Sequence, residues 1–226
     1  MNWRACWQRI PTVLWLAILV ALPASAGYKL LHWSARAIES YPAQQTNDKV
    51  TIAAEPLYTD ALAARVFDKK DMLSRRILPL ALVIRNDNDF AVELSSECVE
   101  LILEGRRLKT LDPMQTLHKL YGRPSLLTAP APSGKNQPRQ IPSSLPKVPK
   151  EAIQDFKQKF FGHKTVFPHF AEGGFLFIPI PHAGDAAAQI ANSRVYIPDV
   201  NPVGKGNPIM FFEFDLKPAM SAPRKK

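Results

Sequence analysis

Four consecutive residues, Asn86, Asp87, Asn88 and Asp89, present a row of amide and carboxylate oxygens, the ligand type that hard cations such as calcium take. A calcium loop needs oxygens at alternate positions, a central glycine and a late bidentate glutamate. Asp87 and Asp89 fill the first two places, but Ala91 stands in the third, no glycine occupies the sharp turn, and Cys98 stands at the twelfth. Asn and Asp also favour turns, because their side chains bond nearby backbone amides and tolerate left-handed conformations. The spacing therefore predicts a structural turn. Asp87 and Asp89 remain the metal candidates of the chain, for a calcium site completed by a distant loop.

The other groups capable of chemistry are scattered. His163, His169 and His182 fall in one region with Glu172 and Asp185, but the gap from His163 to His169 crosses Pro168 and matches no zinc-ligand spacing. No serine lies in a Gly-x-Ser-x-Gly elbow. Cys98 lacks an adjacent cation to lower its pKa and sits in an apolar, strand-like run, which predicts an inert thiol; a bridge to another chain is the alternative. Glu93, Glu97, Glu100 and Glu104 read as outward strand or turn positions rather than as a catalytic carboxylate pair. No catalytic residue, cofactor site or cofactor is assigned.

The first residues set the expected compartment. Arg4 and Arg9 precede an apolar run from Val13 to Leu22, followed by Ala24 and Ala26 at small-residue positions. This is the layout of a secretory signal peptide over residues 1–26, and the run is half the length of about 20 residues that a membrane-spanning helix needs. Export to the periplasm or the cell exterior is expected. The chain of 226 residues has a net charge of +9. Its final segment, 217–226, carries Lys217, Arg224, Lys225 and Lys226 with no acid, and reads as a disordered basic tail. In an exported protein such charge suits anionic lipid head groups or acidic envelope polymers rather than nucleic acid.

Between these ends the hydropathy pattern predicts strands. Residues 27–48 form a polar lead-in, and "KVTIAAE" from Lys49 is the first alternating segment. A short helix is expected over 59–67 behind Thr59 as N-cap. In "ILPLALVIRNDNDFAVEL", Leu78, Leu80, Leu82 and Ile84 point one way and Ile77, Ala81 and Val83 the other, which predicts a strand covered on both faces. Its regular part is expected to begin after Pro79, which has no N–H to donate. "CVELILEGRRLKTL" reads as a hairpin turning at Glu104–Gly105. Helices are expected over "MQTLHKLYG" and over 151–161, where Ile153, Phe156, Phe160 and Phe161 make an apolar stripe. Between them lie Pro124, Pro130, Pro132, Pro138, Pro142, Pro146 and Pro149, an extended proline-rich segment. "GGFLFIPIP", "RVYIPDV" and "IMFFEFDL" close the chain as strands, with Met210, Phe212, Phe214 and Leu216 inward in the last.

The run at 77–94 resembles the paired strands of immunoglobulin-like domains in exported bacterial proteins, and the closing strands resemble the end of a family of uncharacterised secreted bacterial proteins that carry such a domain. The resemblance covers roughly 49–111 and 173–216. It implies a fold and a compartment, and no catalytic residue. The expected architecture is mainly β: an immunoglobulin-like two-layer β-sandwich over 49–216, with short helices and a long proline-rich insertion at 112–172. The expected function is that of an exported, non-enzymatic binding or structural module of the cell envelope. Its expected partner is another envelope protein or an anionic polymer, with peripheral membrane contact open. An envelope hydrolase or metal-dependent enzyme with a loop-assembled site is the alternative.

Overall fold

The computed structural model describes residues 27–122, 147–181, 185–204, 206–209 and 211–221. The expected signal peptide, the prolines from 124 to 146, His182, Met210 and Arg224–Lys226 lie outside them.

The protein is mainly β. One antiparallel sheet runs β1 (Gln44–Asn47), β2 (Val50–Pro56), β3 (Ile77–Asn86) and β8 (Ala171–Pro179) in the order β1-β2-β3-β8. β3 is central and fully covered, as its apolar residues on both faces dictate. By register, Leu78, Leu80 and Leu82 share one face with Leu176 and Ile178, while Pro79 and Ala81 share the other with Phe175 and Phe177. That second face is closed by Phe67 and Phe156, whose rings lie 5.1 Å from those of Phe175 and Phe177 respectively. The strand starts at Ile77, earlier than expected from Pro79. The carbonyl of Pro79 accepts from Leu57 N at 2.9 Å, just past the end of β2, so its missing donor faces the place where the ladder stops.

The second layer is one ribbon with a break in it. β4 (Val92–Ser95) and β5 (Glu100–Leu103) follow each other across a 3-10 turn, Ser96–Cys98. They pair with β10 (Asn201–Pro202) and β9 (Arg194–Ile197), which follow each other in reverse. β7 (His163–Val166) flanks β4, β6 (Arg106–Lys109) flanks β5, and β11 (Phe212–Asp215) flanks β9. The β5–β6 hairpin turns through Glu104 (φ 49°) and Gly105 (φ 77°), as expected. Residues of both layers form one hydrophobic core. The β-sandwich expected from the sequence is thus the architecture found.

Short helices close the sides: α1 (Asp60–Ala63), α2 (Pro113–Tyr121), α3 (Lys150–Lys159), α4 (Ala186–Ala191) and α5 (Lys217–Ser221). Thr59 caps α1, accepting from Leu62 N, and Asp112 forms a capping box with Gln115 at the start of α2. The boundaries differ from expectation in three places. The lead-in supplies β1 and buries Ile38, Tyr41 and Ala43. Within 112–172, the described residues give α2, α3, β7 and the start of β8, with Leu117, Leu120, Phe156, Phe161 and Val166 in the core. The first five residues of the expected disordered tail form α5, and its Ala219 is buried. Among the described residues no helix is long and apolar enough to cross a membrane.

Candidate functional site

The Asn86–Asp89 row lies at one end of the sandwich and divides its work by residue. Asn86 is fully buried at the end of β3. Its Nδ2 donates to Phe90 O at 2.6 Å and Val166 O at 3.1 Å, and its Oδ1 accepts from Asn88 N at 3.0 Å. Its backbone N donates to Phe170 O, and its carbonyl accepts from His169 N. Asn88, 8% exposed, donates from Nδ2 to Asp48 O at 2.8 Å. A buried amide can meet its hydrogen-bonding demand in this way only if the surrounding backbone is held in place. The two asparagines therefore lock three loops together: the β1–β2 turn, the β3–β4 loop and the β7–β8 turn.

The acids of the row face outward. Asp87 accepts from Arg85 Nε at 2.9 Å, and the side chain of Asp89 is 90% exposed with His169 Nε2 3.3 Å away. His163, also exposed, sits 3.9 Å from Glu93. Glu172 pairs with Lys164, and Asp185 caps α4. Among the described residues no three His, Cys, Asp or Glu side chains gather where they could hold a metal ion. Cys98 is half-buried, and burial pushes its thiol pKa up, with Asp199 and Glu97 adding to the effect. Lys217 is exposed at the start of α5.

Beside these charged groups the locked loops present two large apolar rings. The β7–β8 turn, Phe167-Pro168-His169-Phe170, holds His169 at φ 63°, a left-handed conformation that an L side chain adopts only under constraint. The constraint is the pair of backbone bonds to Asn86. The turn projects Phe167 and Phe170, which are 62% and 66% exposed. Val203, whose N–H donates to Ala91 O, lies beside the β3–β4 loop, and Phe211, whose carbonyl accepts from Asn47 Nδ2, lies beside the β1–β2 turn. Of the exposed large apolar side chains among the described residues, only Leu30 and Met114 lie away from this end. Exposed apolar groups gathered on rigid loops mark contact surfaces. Sequence reasoning named none of them. The signal was two phenylalanines flanking a Pro-His pair, inside a turn rather than in an alternating strand.

A cleft of about 500 Å³ lies elsewhere, between the extended segment Leu30–Ala35 and α3, with Asp155, Lys159 and Gly173 in its walls. Asp155 and Lys159 are buried and pair at 2.6 Å. Tyr28 Oη donates to the second oxygen of Asp155 at 2.7 Å, and Lys159 Nζ also donates to Val66 O and stands 5.0 Å from the centre of the Phe67 ring. Burial lowers the pKa of Lys159 against the opposing pull of Asp155, and burial with the Asp155 contact raises that of Tyr28. These groups satisfy one another and tie the N-terminal segment to α3. They too escaped the sequence reading, although Ala152, Asp155, Phe156 and Lys159 recur at helical spacing on one face.

No protein-family model matches the chain, and no curated protein matches it. Among solved structures, the "putative lipoprotein (ycdA)" of Bacillus subtilis is similar at 11% identity with a TM-score of 0.39; the alignment covers 79% of this chain and 40% of that one.

Proposed function

We propose that the chain is an exported, non-enzymatic β-sandwich that works by contact in the cell envelope, with its loop end as the contact surface. The observation that carries this reading is the exposure of Phe167, Phe170, Val203 and Phe211 at one end, the two rings at 167 and 170 on a turn held by Asn86, and Val203 and Phe211 tied by their backbones to the neighbouring loops. A soluble protein that exposes large rings on a rigid turn forgoes burial worth roughly 1.5–3 kcal/mol for each, a cost that a binding surface recovers on docking. The basic start, the apolar run and Ala24 and Ala26 support export. The alternative, an enzyme with a loop-assembled site, finds its best location in the cleft beside Lys159, but there the two buried charges are engaged with each other and with Tyr28 and Val66.

Chemical crosslinking in intact cells tests the reading. The wild-type chain is expected to form adducts with envelope components, and the F167S/F170S variant to lose them while folding normally. Equal adducts from both proteins would remove the loop end from the account, and no adducts from either would end the contact reading itself.

A further inference from the structure

We infer that the side of the molecule built from segment 60–76, α2 and α3 takes a flexible acidic polymer, one that repeats phosphate or carboxylate groups along its length. This surface is separate from the loop end and its contact is independent of the one proposed there.

Contacts join these elements into one side. Arg75 Nη1 donates to Gly122 O at 2.9 Å, just past α2, and Lys69 Nζ stands 4.7 Å from the centre of the Tyr121 ring. Lys159 Nζ, on α3, donates to Val66 O at 2.6 Å, and Lys29 N donates to Asp68, which brings Lys29 to the same side. Lys29 with residues 60–76, 112–122 and 147–159 carries eleven Lys and Arg against six Asp and Glu. The other described residues carry nine against fourteen. The described residues are thus neutral in sum, and their charge is sorted by place: this side is basic and the rest of the molecule is acidic.

The acids of the basic side are used inside the protein. Asp60 accepts from Leu73 N and Ser74 Oγ, Asp71 pairs with Lys69 and Arg75, Asp112 caps α2, and Asp155 is buried with Lys159. Glu151 is the exception, exposed in the first turn of α3, where the helix dipole favours an acid. The cations are left over. Lys29, Arg65, Lys70, Lys119, Lys150 and Lys157 are exposed, and none has a side-chain hydrogen bond or ion pair with another described residue. Standing on separate segments, they converge on no single point, so they do not make a small-anion site. Lys150 and Lys157 lie on one face of α3 about 10 Å apart, a spacing that a chain of anions meets in succession, releasing counterions as it does so. A stable protein partner buries an apolar centre with few charges, whereas Met114 is the only exposed large apolar side chain that these segments carry among the described residues. α3 lies over Phe177, outside the β1-β2-β3-β8 sheet, and α2 packs beside it. A flat bilayer meets only the cations on the crest of such a helical ridge; a flexible polymer follows them across it.

The test uses the full chain, with long-chain polyphosphate and poly-L-glutamate as probes and two charge-matched variants. K70Q/K119Q/K150Q/K157Q removes four cations from the basic side, and K49Q/R106Q/K109Q/K217Q removes four exposed cations elsewhere. Arg123, Lys135, Arg139 and Arg224–Lys226 are common to all three proteins, so the comparison reports where the charge lies and not its sum. At low ionic strength the first variant is expected to bind polyphosphate at least about 10-fold more weakly than wild type, with a shallower dependence of log Kd on log salt concentration, and the second to stay within about 2-fold. A preference for one of the two probes names the anionic group and supports the proposal. Equal binding by the two variants, or no binding of either polymer by wild type, overturns it, and wild-type binding to phosphatidylglycerol vesicles but to neither polymer overturns it in favour of a bilayer. If the fourfold variant fails to fold, K70E and K150E decide singly, each expected to weaken binding by about 3-fold. F167S/F170S is expected to keep full polymer binding, so failure here and failure of the loop-end contact are separate results.

Discussion

Asn86 and Asp89 are three residues apart and chemically similar, yet burial gives them opposite roles. Replacing Asn86 by Ala would leave Val166 O, Phe90 O and Asn88 N without their partner in a buried place. Each unsatisfied group costs about 1–3 kcal/mol, so urea denaturation should show N86A destabilised by about 3 kcal/mol or more, while D89A stays within about 0.5 kcal/mol of wild type. Equal effects would show that the row is not divided in this way. Tyr28 gives a pH prediction. Its phenol pKa is raised in the folded state, chiefly by burial and by its bond to Asp155. The folded chain then keeps a proton that the unfolded chain releases above about pH 10, so stability from this group is intact below that pH and is lost as pH rises through it. Lys159, with its pKa lowered, acts in the opposite direction near the same range, but it is common to wild type and Y28F. Denaturation midpoints from pH 9 to 11 should therefore fall more steeply for wild type than for Y28F.

At the scale of elements, α3 carries a buried ion pair on the face that also carries Ala152 and Phe156. Removing one partner, as in K159M, should cost about 3–5 kcal/mol, and D155L/K159M should recover much of it, because the isolated buried charge is the expensive state. Unfolding free energies of the two variants check this. The strands were legible where alternation was clean or the apolar run was long: β3, β5, β9 and β11 follow from their residues. β1 was missed because "QQTN" has no apolar face of its own; its pairing with β2 and the contact of Asn47 with Phe211 create it. The site was legible only in part. The Asn-Asp row does join two strands as expected, with Asn86 ending β3 and the residues after it crossing to β4 in the other layer, but the burial of both asparagines depends on Val166, Asp48 and His169, up to 83 residues away in sequence. The apolar stripe of α3 was legible, with Phe156 and Phe161 buried and Ile153 and Phe160 packed against the core, but Asp155 and Lys159 become buried only by pairing with each other, Tyr28 and Val66.

For the whole molecule, the two layers and their side helices amount to a scaffold that holds one set of loops still. The end near α5 is capped by packing, with Leu216 and Ala219 buried, whereas the other end exposes its rings. The contact proposed for the loop end rests on that asymmetry. The most direct measurement places the photoreactive benzoylphenylalanine at Phe170 in one protein and at Lys217 in another, and compares their adducts in intact cells. The account predicts envelope adducts from position 170 and few or none from position 217. Adducts from position 217 alone would contradict it, and would return the contact to the basic end of the chain.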